Sequence, residues 1–165
     1  MRSLLNAAAE RDRVPWLPRP RARVDIAVTS LTCPNVYWGS PEVSLKAARV
    51  MNDDMAKAQR QWPERIRWFA SLPWQHERLA LQELQRSCEN GAVGVMVLAN
   101  VSGQHLTDPM FENIWREIDK RGLPVLVHPT APPGTAELDV MRYNLIASVG
   151  FMFDTSLAIA RLIDR

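Results

Sequence analysis

Cysteine is nearly absent. Cys33 and Cys88 lie far apart and form no C-x-x-C pair, which argues against a disulfide framework and against a cysteine-rich zinc site. They read as free thiols of a reducing compartment. Charge of one sign is lacking too: 20 Lys+Arg against 18 Asp+Glu leave a net charge of +2, so neither nucleic acid nor an acidic membrane surface is an expected partner. No run approaches the roughly 18 apolar residues of a spanning helix, and the opening MRSLLNAAAERDR carries acids and lacks the apolar core of a secretory signal. The expectation is a soluble, cytoplasmic protein. G-x-G-x-x-G and G-x-x-x-x-G-K-[ST] are missing, which disfavours a nucleotide-binding open sheet. H-x-H, H-E-x-x-H and nucleophile motifs built on Ser or Cys are missing as well, so no self-contained metal or acyl-transfer signature is present.

What is there is an alternation. The 165 residues are 47% hydrophobic, enough for one domain with a sizeable core or for a piece of something larger. VDIAVTSL (24 to 31) reads as a strand. Ser40 as N-cap, Pro41 at the first helical position and Glu42 in the first turn open a helix that Pro63 stops. RIRWFASL (65 to 72) puts Ile66, Trp68, Ala70 and Leu72 on one strand face. HERLALQELQRSCENG then places Leu81, Leu84 and Cys88 on one stripe and ends at Asn90 and Gly91. AVGVMVL (92 to 98) is continuously apolar, as a strand buried on both faces would be.

Asp108 and Pro109 open the next helix, whose Phe111, Ile114, Trp115 and Ile118 follow the i, i+3, i+4, i+7 template. LPVLV supplies a fourth buried strand ending at His128, and the tail from about Leu138 has helical stretches. Strand and helix alternate four times. That order calls for parallel strands with right-handed crossovers, in an open doubly wound sheet or, without a nucleotide motif, a TIM-type (β/α) barrel.

In either architecture the C-terminal strand ends share one mouth, where reacting groups collect. His128 stands there, able to ligate a divalent metal, to exchange protons, or simply to bond a neighbouring loop. Asn100 and Ser102 could orient substrate or support a metal ligand, or only form a turn. Trp74, Tyr37 and Trp38 could wall a planar acid, or pack. His76, at a helix start, and His105, in the loop GQHLTDP, are weaker candidates.

The succession SLTCPNVYWG, RIRWFASLPWQ, GAVGVMVLANVSGQHLTDPMFENIWREIDKRGLPVLVHPT and GFMFDTSLAIARLI resembles the amidohydrolase-related branch of the metal-dependent amidohydrolase superfamily over about residues 24 to 163. That branch includes decarboxylases such as those acting on aminocarboxymuconate semialdehyde, resorcylate and carboxyvanillate. The resemblance implies part of a TIM-type barrel, with strands two to five of eight present, preceded over residues 1 to 23 by an arm, loop or surface helix. It implies a divalent metal, zinc first and manganese second, with His128 as the ligand that ends the fifth strand and Asn100 at a polar position after the fourth. In the family the metal clamps the oxygens of a small aromatic or conjugated carboxylic acid, or activates water in hydrolysis.

The first-strand H-x-H or E-x-H has no counterpart in residues 1 to 24, which contain no histidine. The sixth-strand histidine and eighth-strand aspartate are expected beyond Arg165. The expectation is therefore either a fragment of a metal-dependent decarboxylase or hydrolase, or a noncatalytic half-barrel associating with itself or a partner chain; in both cases a homo-oligomer follows from uncovered sheet edges.

Overall fold

The computed structural model describes residues 24–164. The arm expected over residues 1 to 23 lies outside the described residues. Four parallel strands form one sheet: β1 (Ala27–Thr29), β2 (Ile66–Ser71), β3 (Gly94–Leu98) and β6 (Val125–His128), adjacent in that order. Chain order and spatial order agree, with no reversal among these strands. A doubly wound sheet needs a reversal, whereas a barrel adds each strand beside the last. A short antiparallel hairpin, β4 (Asn100–Val101) with β5 (Gln104–His105), follows β3.

The connecting helices are built as their sequences dictate. In α1 (Pro41–Gln61), the Ser40 hydroxyl accepts from the Val43 amide, capping one of the first-turn donors that has no partner within the helix. α2 (Glu77–Glu89) begins at His76, which is half-buried and caps nothing with its side chain. Asp108 caps a single 3-10 turn, Pro109–Phe111, by accepting from Met110 N, and the regular helix α3 (Glu112–Lys120) starts only after it. Pro109 lacks an amide proton, which costs nothing at this position.

The core lies between sheet and helices. Trp68, Ala70 and Leu72 of β2 and its end, with Val95 and Val97 of β3, pack against Ala56, Ala80, Leu84, Phe111, Ile114 and Ile118. Period-2 alternation turns the other residues to the opposite face, which is the barrel interior. The registers Val28↔Arg67, Phe69↔Gly94, Ser71↔Met96, Met96↔Leu126 and Leu98↔His128 put His128 on this interior face. Gly94 is required there: a Cβ on it would stand 2.6 Å from Phe69 Cε1 and 2.6 Å from the Pro124 carbonyl oxygen.

Two expectations need correction. LPVLV is not buried as β3 is: Leu126 is 39% exposed, and Val125, Val127 and His128 are half-buried. β6 is an edge strand in this sheet, so its interior face has a neighbour on one side only. The expectation that no run approaches the length of a spanning helix is also corrected, because the tail is more continuous than the sequence suggested. A π-helical turn, Ile146–Gly150, runs directly into α4 (Phe151–Ile163), and this 18-residue helix, with mean hydropathy 1.5, is long and apolar enough by length and composition to cross a membrane. It docks on the domain through Asp154 and Ala158, while Met152, Phe153 and Ile163 are exposed.

Candidate functional site

The interior face brings His128 to the rim. Its carbonyl accepts from Ala99 N at 2.9 Å, which fixes the backbone at the strand end. Its ring Nδ1 stands 2.7 Å from the Pro129 carbonyl oxygen. A carbonyl can only accept, so Nδ1 carries a proton, and in the neutral imidazole Nε2 keeps its lone pair. That is the tautomer a metal-ligating histidine needs when Nε2 is the donor. The next residues are held as well: Cys33 Sγ lies 3.6 Å from the Pro129 carbonyl and 3.4 Å from Thr130 Oγ1, joining the β1 loop to the His128 loop.

Asn100 is 6% exposed and fully engaged. Its Oδ1 accepts from Gly103 N at 2.9 Å, and its Nδ2 donates to the Ala131 carbonyl at 3.0 Å and to Asp154 Oδ2 at 2.8 Å. Both Nδ2 protons are therefore committed within the protein, and none is left to donate to a substrate. Burial raises the Asp154 carboxyl above its ordinary range, opposed by the Asn100 hydrogen bond and by the charges of His105 and Arg161. Ser102 occupies the turn of the β4–β5 hairpin at φ 51°, beside Gly103 at φ 84°. Two positive values in a two-residue loop give the twist that a tight hairpin requires. The Ser102 hydroxyl reaches the Tyr37 carbonyl at 3.4 Å.

The aromatic candidates separate. Trp74 does not face the mouth: the Trp74 amide bonds the Leu72 carbonyl at 2.9 Å, a tight turn at Pro73 that swings the indole into the helix layer. There it is wholly buried, 5.7 Å from Phe111 edge-on and 5.0 Å from Trp115. It is a core residue, with no surface on which a substrate could lie. Trp38 is exposed, its Nε1 donating to the Asn35 carbonyl at 2.9 Å. Tyr37 is half-buried, and its hydroxyl is buried with no hydrogen bond of good geometry. Burial raises that phenol's pKa, partly offset by the Leu98 backbone close by, so it stays protonated.

His105 is exposed on β5, where its Nδ1 faces Arg161 Nη1 at 2.7 Å. That nitrogen accepts a hydrogen bond from the Arg161 guanidinium and is not offered to a metal. Among the described residues no three His, Cys, Asp or Glu side chains converge on a point that could hold a metal ion. His128 has the geometry of one ligand, but a catalytic zinc usually takes three protein ligands. The described residues do not form a complete metal centre.

Comparison with known proteins now decides the family. A family model described as Amidohydrolase matches residues 17–159, most of the chain. This chain belongs to the amidohydrolase family. Among curated amidohydrolase relatives, a 2-amino-3-carboxymuconate-6-semialdehyde decarboxylase of Dictyostelium discoideum is 36% identical over 146 residues, covering 87% of this chain and 40% of the relative. A gamma-resorcylate decarboxylase of Rhizobium radiobacter is 33% identical over 118 residues, covering 66% of this chain and 36% of the relative. The chain thus spans about 40% or less of the length of these curated relatives.

The fold agrees with the family. A 5-carboxyvanillate decarboxylase from Novosphingobium aromaticivorans, with bound manganese and 3-methoxy-4-hydroxy-5-nitrobenzoic acid, superposes with a TM-score of 0.79 at 25% identity, covering 84% of this chain and 41% of that one. A 2,6-dihydroxybenzoate decarboxylase from Rhizobium gives 0.77 at 26% identity, covering 84% and 46%. The four-stranded parallel sheet and its helices are part of an amidohydrolase barrel.

Proposed function

We propose that this chain is the second-to-fifth-strand part of a metal-dependent decarboxylase of a small aromatic carboxylic acid. One observation carries it: His128 sits on the interior face at the end of β6, its Nδ1 proton engaged by Pro129 and its Nε2 lone pair available. The decarboxylase reading is preferred to the hydrolase reading because the relatives named above are all decarboxylases. The bound metal would be divalent: zinc, as the resemblance implies, or manganese, which the structurally similar 5-carboxyvanillate decarboxylase carries. The other ligands would lie outside the described residues.

The chain's own residues have definable parts in this reading. Cys33, Ala99 and Asn100 hold the backbone of residues 128 to 131 in place, so the imidazole is presented without reorganisation. Tyr37 keeps a protonated phenol, buried beside the Leu98 backbone, whose O–H could donate to an acid group. Both cysteines are free, which supports a reducing, cytoplasmic setting.

The test is the sequence flanking the coding region. An upstream H-x-H or E-x-H and a downstream histidine and aspartate are expected, and the chain extended to include them should release carbon dioxide from 2,6-dihydroxybenzoate or a similar acid, an activity abolished by His128→Ala. Flanks without those residues would contradict the reading.

A second reading has an observation of its own. Among the described residues the sheet has open edges at β1 and β6, with Val28 51% exposed and Leu126 39% exposed, and α4 turns Phe153 outward. Such edges and apolar faces favour self-association. A half-barrel that pairs with a second copy of itself therefore stands as the alternative.

A further inference from the structure

The His128 ring is oriented by the carbonyl of the residue next to it, and that carbonyl lies on a short loop whose position is set from elsewhere. Four contacts hold the loop: Ala99 N to the His128 carbonyl at 2.9 Å, Cys33 Sγ to the Pro129 carbonyl at 3.6 Å and to Thr130 Oγ1 at 3.4 Å, and Asn100 Nδ2 to the Ala131 carbonyl at 3.0 Å. The last is the only one of the four made by a buried side chain, since Cys33 is exposed. Asn100 is itself immobilised, because its second Nδ2 proton goes to Asp154 Oδ2 at 2.8 Å and its Oδ1 closes the Ser102–Gly103 turn.

A primary amide suits this position. Asn100 must donate twice from one nitrogen, to a carbonyl and to a carboxylate, and accept once from a backbone amide. An aspartate could accept but not donate, and an alanine could do neither. Asp154 contributes an acceptor on α4, so the helix that follows the His128 loop is pinned to the strand that precedes it.

We infer that Asn100, braced by Asp154, is a positioning residue that fixes the His128 tautomer through the Ala131 carbonyl, rather than a residue that touches substrate. The inference deepens the proposed role of His128 as a metal ligand and rests on it. Its test reads only the imidazole of the metal-free chain, so it succeeds or fails separately from any metal assay.

The experiment is imidazole nitrogen NMR on the chelator-treated 165-residue chain at about pH 8, where a histidine of ordinary pKa is neutral. His128 is assigned by its loss in His128→Ala. The wild-type chain should show His128 protonated at Nδ1. Asp154→Asn keeps the Asn100 donor to Ala131 and should retain that tautomer. The exchanged pair Asn100→Asp with Asp154→Asn restores an amide–carboxylate bond between the two positions but turns a carboxylate toward the Ala131 carbonyl. Its melting temperature should stay close to that of Asp154→Asn, while His128 shifts to the Nε2-protonated form as the major species. A wild-type His128 protonated at Nε2, or an exchanged pair that keeps Nδ1 protonated, would overturn the inference.

Discussion

Asn52 of α1 donates to Glu83 of α2 at 2.7 Å, and neither side chain has any exposure to solvent. The same amide reaches the Ser71 carbonyl at 3.0 Å and accepts from Ser71 N at 3.0 Å, so two helices are tied to the end of β2. Arg86 completes the site by gripping Glu83 through two nitrogens, at 2.8 and 2.7 Å. Removing one partner of a buried pair leaves the other uncompensated. Glu83→Ala should therefore cost about 3 kcal/mol, the low end for such a change because Arg86 retains some contact with water. Breaking the exposed pair Arg142–Asp139 should cost less than about 0.5 kcal/mol. Urea unfolding of both variants measures the contrast, and equal losses would contradict it.

Gly94→Ala should destabilise the sheet by about 1–3 kcal/mol, the usual cost of overpacking. The added methyl would meet the Phe69 ring on one side, which can move, and the Pro124 backbone on the other, which cannot move without disturbing β6. Phe69→Leu in the same background should recover only part of the loss. Full recovery would show that the backbone contact is unimportant.

Asp154 makes stability depend on pH in a direction opposite to that of most carboxylates. Burial raises its folded pKa above the unfolded value, so the folded state holds the proton over the interval between them. The burial penalty is absent below the unfolded pKa and develops as pH rises through the folded one. Asn100 faces the group from β4, His105 from β5 and Arg161 from α4 itself. Relative to Asp154→Asn, the wild-type chain should lose stability as pH rises through the acid range. Parallel pH profiles for the two proteins would remove this assignment.

Open edges and exposed apolar side chains predict association. The 18.7 kDa chain should elute above monomer size at micromolar concentration, and Phe153→Lys with Leu126→Lys should shift it toward the monomer. Sedimentation velocity checks the result. A monodisperse wild-type monomer with cooperative unfolding would contradict the prediction.

Much of this architecture is legible locally. Ser40–Pro41 and Asp108–Pro109 announce helix starts because capping depends on residues adjacent in the chain, and the unbroken apolarity of β3 follows from burial on both faces. What escaped the sequence is what depends on distance. Asn52 lies on the buried face of α1, and its partner Glu83 is 31 positions away. Asn100 and Asp154 are separated by 54. The β4–β5 hairpin was hidden by strands only two residues long, although Ser102–Gly103 is a turn signal. Whether Trp74 walls a substrate or packs stayed open in the sequence, because nothing in Leu-Pro-Trp says which way the turn at Pro73 sends the ring; it packs.

The central claim is that His128 is one ligand of a metal site whose other ligands lie outside the described residues. Equilibrium binding of zinc and of manganese to the purified chain, wild type beside His128→Ala, tests it most directly. The account predicts weak, substoichiometric binding that the substitution removes. Tight stoichiometric metal that survives His128→Ala would contradict it.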